Sequence, residues 1–455
     1  MKAVLAVFCA GLLFVSASSV WAEEDIDNEE PIPASVDEIV SPMDRLAEVK
    51  PSRPGFFPWL KVQLKDYPPF LRDTKLDISF RTFYSNRTKY DASINEAWAM
   101  GGVLDYRSGW LYDRVRVGSS LYTSQPVYAP DGRDGSGLLA TGQKGYTVLG
   151  QAYGQIKLMD ETYLNLYRYG DYNTPYLSKS DSKMTPYTYE GYSVMGRMGG
   201  KDGAPQLNFG GGYILKIKDK TAEKFISMSE KAGANVERGV AALGVSFHQD
   251  GFSIAAMNYY CDDVINIGYA ETTYTLDITK DMGVRFAFQF TDQRSVGHDL
   301  LKGYGFATNQ VGVKADLSYK GAVLTLAYTA NDDGADLVNP WSGYPGYSGA
   351  MITNYSKAGV NAFYTKLSYD FGRVGLPGIS GYVAYGRGWG MVDPTTKAAL
   401  PNEDEYDGNL QYRPKSGYLS GLWLRLRYGV AHQYEGPGQY THDARISLNY
   451  DFQLM

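Results

Sequence analysis

Residues 423–428 read Trp-Leu-Arg-Leu-Arg-Tyr, so apolar and charged side chains alternate position by position. In an extended strand successive side chains point to opposite faces, which sets Leu424 and Leu426 against Arg425 and Arg427. Taken alone, the stretch reads first as an amphipathic strand of a soluble protein. The same choice recurs, however, from about Lys75 to the C-terminus. Leu76, Ile78 and Phe80 oppose Asp77, Ser79 and Arg81, while Val284, Phe286, Phe288 and Phe290 oppose Arg285, Ala287 and Gln289. Lys314 and Asp316, then Lys366 and Asp370, take the polar side of their segments. In the last segment Ile446, Leu448, Tyr450 and Phe452 alternate with Arg445, Ser447, Asn449 and Asp451. Segments of about ten residues with this alternation are the signature of transmembrane strands.

The links between segments carry a second regularity. Short links at 107–109, 159–161, 249–251, 280–283 and 319–321 alternate with long ones near 121–146, 170–191, 217–238, 293–307, 331–356 and 388–405. A soluble sandwich has no reason to keep its long loops at one end, whereas an outer-membrane barrel has tight periplasmic turns and long outer loops. In lipid every backbone N–H and C=O must be paired, and a sheet achieves that only by closing. The expected fold is therefore all-β: a transmembrane up-and-down antiparallel β-barrel of about 18 strands, both chain ends periplasmic. Segments near 191–199 and 405–414 are the least clearly patterned.

Composition sharpens this picture. Of 455 residues, 39 are tyrosines, which suit the membrane–water interfaces where a ring buries its body and wets its hydroxyl. Beyond the N-terminus no run of about 20 apolar residues appears, which excludes a helical membrane protein. Residues 1–22 have the form of a secretory signal, with Lys2, an apolar stretch from Ala3 to Val15 and a small-residue cleavage site at Ala22. Cys9 lies inside that stretch, so the exported chain keeps only Cys261 and no internal disulfide. Residues 23–74 form an acidic, proline-containing periplasmic extension, in which 54–73 hold too many prolines for regular structure, and residues 75–455 form the barrel. A net charge of −6 speaks against nucleic acid as a partner.

Several stretches resemble the OprD-type substrate-specific outer-membrane porins. They are Pro69–Arg87, Glu96–Gly118, the segment from Asp131 to Gly142, the segment from Tyr172 to Gly191, and the closing segment from Ala444 to Met455. Within them Pro186 to Gly191 is similar to that family's Leu-Pro-Gln-Thr-Phe-x-Gly segment, with departures at two polar positions. The resemblance covers roughly 69–455 and implies an eighteen-stranded barrel, a lumen narrowed by infolded loops three and seven, and a basic ladder along one wall. It also implies passage of small carboxylate-bearing nutrients, amino acids and aromatic acids among them. The acidic N-terminal extension departs from the family.

Candidate chemistry follows from strand parity. The basic residues expected on the lumen side are Arg81, Arg114, Arg116, Lys216, Arg285, Lys314, Lys366, Arg425, Arg427 and Arg445. Each is first a solvated lumen side chain, but an array of guanidinium groups can bind a carboxylate and hand it on, keeping each contact weak. Arg425, Arg427 and Arg445, on adjacent strands, are the core of that track. The expected constriction comes from the third long loop, with Tyr172, Tyr176 and Tyr187, and from the seventh, with Trp341, Tyr344 and Tyr347. Prolines stiffen both, and tyrosines can fill a lumen; ordinary surface loops are the alternative. Asp332, Asp333 and Asp336 could meet the ammonium group of an amino acid, although a calcium site or loop solubility explains them as well. No metal or cofactor is expected, since His248, His298, His432 and His442 lack metal-ligand spacing.

The function expected is passive, substrate-selective diffusion, with outer-membrane lipid and lipopolysaccharide around the barrel and small anionic or zwitterionic solutes within it. A general diffusion porin is the alternative. A barrel enzyme using His432, His442 and nearby Asp443 is a third, although no nucleophile accompanies them. The oligomeric state, homotrimer or monomer, stays open.

Overall fold

The computed structural model describes residues 57–455 apart from 202, 415, 418 and 435–438. The expected signal segment and the N-terminal extension up to residue 56 lie outside the described residues. The strands begin with β1 (Lys75–Thr88), β2 (Ile94–Arg107), β3 (Val115–Tyr128), β4 (Tyr146–Met159), β5 (Thr162–Tyr169), β6 (Thr188–Gly199) and β7 (Gln206–Lys218). They continue with β8 (Phe225–Ser227), β9 (Val240–Gln249), β10 (Phe252–Cys261), β11 (Ile265–Thr279), β12 (Met282–Arg294) and β13 (Ala307–Tyr319). The chain then completes β14 (Ala322–Asn331), β15 (Asn361–Asp370), β16 (Ile379–Trp389), β17 (Glu403–Tyr412), β18 (Leu422–Gln433) and β19 (Tyr440–Gln453).

All 19 belong to one sheet. The three-residue β8 pairs only with the outer end of β7, so 18 strands go round the barrel. Each pairs antiparallel with its neighbours, and β1 closes the ring by pairing with both β2 and β19, from Asp77 opposite Gln453 to Thr88 opposite His442. Closure leaves none of the 18 ring strands with an open edge. The two-residue turns obey local chemistry: Asp250 (φ 47°) with Gly251 (φ 78°), and Lys320 (φ 47°) with Gly321 (φ 86°), adopt the left-handed backbone that a tight hairpin demands.

The burial pattern is the reverse of a soluble protein's. On β12, Phe286, Phe288 and Phe290 are exposed on the outer surface, while Arg285, Gln289, Thr291 and Gln293 are buried inside. On β18 Leu426 and Tyr428 face out, and Arg425 and Arg427 are buried. The weakly patterned segments are strands too: β6 and β17 carry polar residues on both faces. On β17, Asp404 points away from the lumen acids yet is buried under Tyr385 and Tyr434, and Arg387 lies 3.7 Å from it.

In the segment 54–73, expected to lack regular structure, the described residues from 57 on instead form two helices, α1 (Pro58–Leu64) and α2 (Pro69–Arg72). Pro58 and Pro69 open the two helices, where the missing N–H would have had no partner anyway, and Pro68 caps the second. Backbone bonds from Phe57 N to Leu454 O (3.0 Å) and from Gly109 N to Phe70 O (3.0 Å) tie this segment to the rim where β1 begins and β19 ends.

Candidate functional site

The lumen is shaped by long outer links, chiefly 170–187 (loop 3) and 332–360 (loop 7). Loop 7 turns inward over most of its length, with every residue from 341 to 351 buried. Its aromatic side chains find partners on the inner wall and, at Met228, on the link between β8 and β9. Trp341 Nε1 donates to the Met228 carbonyl (3.1 Å), and Tyr344 Oη accepts from Gln310 Nε2 (2.9 Å). Tyr347 donates to Glu271, where burial first and that carboxylate second push its hydroxyl well above the ordinary tyrosine range. A buried tyrosine hydroxyl with such an acceptor acts as a fixed strut.

Loop 3 is folded in as well. Tyr172 packs edge-on to Tyr189 (5.3 Å) and hydrogen-bonds Ser193 Oγ (2.9 Å); burial pushes its hydroxyl up to about 12. Tyr176 accepts from Gln293 Nε2 (3.0 Å) and lies 5.6 Å from the Tyr259 ring. Tyr187 is half-buried beneath the ammonium groups of Lys220 and Lys231, both from the link 219–239. The two loops meet where Ser178 N donates to Ser342 Oγ (2.9 Å). Asp171 and Lys179 form an ion pair of 2.9 Å at the base of loop 3, and that carboxylate holds the lysine well above its ordinary value.

The wall formed by β17, β18, β19 and β1 carries the densest charge. Arg427 and Arg445 stand directly opposite one another on β18 and β19, at 6% and 2% exposure. Arg425 donates from Nε to Asn409 Oδ1 (2.8 Å) and lies beside the Trp423 ring. Arg445 pairs with Asp443 (3.0 Å) and reaches the Met351 carbonyl of loop 7 (3.4 Å). Arg81 bonds Asn449 and reaches across to loop 3, at Asp181 Oδ1 (2.9 Å) and the Lys183 carbonyl. Towards the outer end the sign reverses: Glu403, Glu405 and Asp407 follow one another along the inner face of β17. Glu405 accepts from the backbone N–H groups of Ile352 (2.6 Å) and Thr353 (2.8 Å), and Asp407 accepts from that of Met351 (3.1 Å). This acid ladder thereby pins the tip of loop 7 beside the arginines.

Other expected positions fall elsewhere. Arg285 is buried on the inner face of β12, while Lys314 and Lys366 are half-buried with their ammonium groups over Tyr347 (4.7 Å) and Tyr382 (5.7 Å). Arg116 packs over Trp110 (4.5 Å) and donates to Gln155 Oε1 (2.6 Å). Arg114 lies in the exposed turn before β3, so strand parity does not apply to it. Lys216 corrects the expectation outright. A bulge at Leu215 shifts the register and sets Lys216 opposite Glu190, on the face away from buried Tyr189, so it points out of the barrel. The three loop-7 aspartates also stand away from the arginine wall. Asp332 accepts from Asn309 N (3.0 Å), Asp336 pairs with Lys357 (2.9 Å), and Asp333 is exposed beside Lys397 (3.4 Å). They stitch the base of the loop, and the buried acids near the arginines are those of β17 and Asp443. His442 is exposed on the outer face, with Nδ1 2.9 Å from Tyr428 Oη, whereas its neighbour Asp443 is buried on the inner face. The proposed hydrolytic grouping is therefore split by the barrel wall.

Comparison with known proteins agrees with this geometry. The family model described as outer membrane porin, OprD family, matches residues 68–454. Among solved structures, OccK9 (OpdG) of Pseudomonas aeruginosa superposes with a TM-score of 0.75 at 20% identity, covering 85% of this chain and 100% of that one. OpdK of Pseudomonas aeruginosa with vanillate gives 0.71 at 18% identity, covering 84% and 100%. OccAB2 of Acinetobacter baumannii gives 0.73 at 18%, covering 85% and 100%. No curated protein matches the chain. A closed barrel of outward apolar and inward charged side chains, matched by this model across its full length, places the chain in the OprD family of porins in the Gram-negative outer membrane.

Proposed function

We propose that this porin passes small carboxylate-bearing solutes, amino acids or aromatic and organic acids, by passive diffusion along the arginines of β18, β19 and β1. The observation that carries the reading is the pair Arg427 and Arg445, buried and directly opposed on neighbouring strands beside Arg425. Two cationic groups held side by side favour an anion between or before them, and a planar guanidinium matches a carboxylate bidentately. Asp443 and Asn409 hold Arg445 and Arg425 in place and temper their charge, which keeps affinity low enough for release. The relative solved with vanillate, an aromatic carboxylate, supports the same substrate class.

The protein acts here as a channel, with no catalytic step. Lipid and lipopolysaccharide contact the outward ring of apolar and aromatic side chains. The test is selectivity in planar bilayers. Arg425→Ala with Arg427→Ala is expected to lower carboxylate flux and anion selectivity several-fold while leaving insertion intact; unchanged flux discards the arginine track. Free passage of uncharged oligosaccharides through the unaltered protein would instead mark a general diffusion porin.

A further inference from the structure

Beneath loop 3, on the lumen wall across the ring from the arginines, lies a half-enclosed cavity of ≈ 80 Å³. Its floor is the inner face of β6, β7, β9 and β10, where Gly210, Gly212, Ala242 and Gly244 leave the wall almost without side chains. Met195 and Met257 flank it, and Tyr172, Thr174 and Leu177 of loop 3 form the roof.

The glycines distinguish two causes for a missing side chain. A Cβ at Gly212 would stand 2.4 Å from the Tyr192 carbonyl oxygen, so close backbone approach requires glycine there. Gly210 is different: its φ is ordinary for any residue, and a Cβ would meet nothing closer than 3.4 Å. At Gly244 a Cβ would meet the flexible Met257 side chain at 3.0 Å and, beyond it, the Ala256 carbonyl oxygen at an ordinary 3.5 Å. Neither backbone conformation nor packing demands glycine at these two positions. Glycine inside a strand costs stability through chain entropy, and elsewhere it marks close approach of a ligand or another backbone. At 210 and 244 what the glycine provides is space.

We propose that this cavity is a subsite for the short branched alkyl group of a permeating carboxylate. An apolar cavity of about 150 Å³ accommodates benzene, so one of about half that size takes a branched group of three or four carbons and leaves a larger ring outside. The polar lining residues are already satisfied, Asn208 Nδ2 donating to Ser246 Oγ (2.8 Å) and Asp171 pairing with Lys179, so the cavity offers the solute apolar contact and its charged end stays in the wetted lumen. Leu177 and the two methionines supply adaptable apolar contacts. The proposal rests on the carboxylate reading only for the charged end of the solute; the cavity itself selects the tail.

The experiment compares the residence of 3-methylbutanoate, acetate and uncharged 3-methylbutan-1-ol in single channels of the full protein. The unaltered channel is expected to hold 3-methylbutanoate longer than acetate by on the order of tenfold, since each methylene fully buried contributes about fourfold and the half-enclosed cavity buries only part of the added carbons. Gly210→Val with Gly244→Val fills the cavity and is expected to bring that ratio close to one, with potassium chloride conductance unchanged. Gly210→Ala, whose Cβ fits the present backbone, is expected to give an intermediate ratio and decides the matter if the double variant does not insert. A ratio near one in the unaltered channel, or a ratio that filling leaves untouched, overturns the subsite. Alcohol and acid retained equally, both shortened by filling, would keep the subsite and discard the carboxylate preference. Acid preferred over alcohol with no effect of filling would do the reverse.

Discussion

Which way a single side chain points decides its meaning in this protein, and one extra residue can reverse it. Lys216 has the parity of a lumen residue until the bulge at Leu215 turns it outward to face Glu190. Arg427 meets no such irregularity and stays inside, opposite Arg445. The same logic predicts opposite outcomes for neighbouring substitutions on β12. Phe288, exposed to lipid, should not tolerate charge: Phe288→Arg is expected to cost roughly 2–4 kcal/mol in unfolding from lipid vesicles. Ala287→Ser, next to it but facing the lumen, is expected to change stability by less than about 1 kcal/mol in the same titration. Equal losses for the two would contradict the assigned faces.

At the scale of elements, loop 7 is held at both ends by different chemistry. Asp332 and Asp336 stitch its base, while Glu405 and Asp407 hold its tip through the backbone of 351–353. Glu405→Ala removes two of the tip's acceptors and leaves those N–H groups without them. Larger, noisier single-channel currents are expected from this variant, with normal assembly; a quiet channel of unaltered conductance would show that the tip does not depend on that carboxylate. A second clasp joins the outer links between β10 and β11 and between β12 and β13. There Asp263 accepts from His298 Nδ1 (2.7 Å) and pairs with Arg238 (3.2 Å). The His298 hydrogen bond chiefly holds the Asp263 carboxyl below its ordinary value. A depressed folded value means that the stabilisation is present above the ordinary aspartate range and disappears as pH falls through the folded one. Protection of 262–264 and 295–300 against hydrogen exchange is therefore expected to hold above about pH 5 and to fall once the pH drops below the ordinary aspartate range, and Asp263→Asn should flatten that dependence.

For the whole molecule, closure of β1 on β19 is the step that satisfies the last row of backbone groups. A chain ending at residue 439, lacking β19, would leave open edges on β1 and β18 in a hydrocarbon medium. It is expected to lose the heat-modifiable gel migration of a folded barrel altogether, and retention of that shift would mean that the sheet closes by another pairing. Closure also builds the site. The arginines of β18 and β19 share one wall with Arg81 of β1 only because the first and last strands pair, across 368 positions between Arg81 and Asn449.

The alternation of side chains is local and survives any tertiary arrangement, which is why Leu426, Phe288 and Ile446 on one face and Arg425, Arg427 and Arg445 on the other could be assigned from the sequence alone. Tight turns were legible for the same reason, since Asp250-Gly251 and Lys320-Gly321 need only their own backbone preferences. Where the loops go is a different kind of fact. Ser342 meets Ser178 across 164 positions and Trp341 meets Met228 across 113, contacts that no local periodicity encodes. The acids of β17 were present in the sequence at every second position, but buried Asp404 between them masked the pattern. The cavity beneath loop 3 needed four strands and a loop to bring its glycines under one roof. Sequence alone determined which faces meet lipid and which meet water, because a strand's period of two is fixed by its own covalent geometry. Tertiary structure decided how wide the water path is and what charge lines it, because both depend on side chains that only barrel closure brings together.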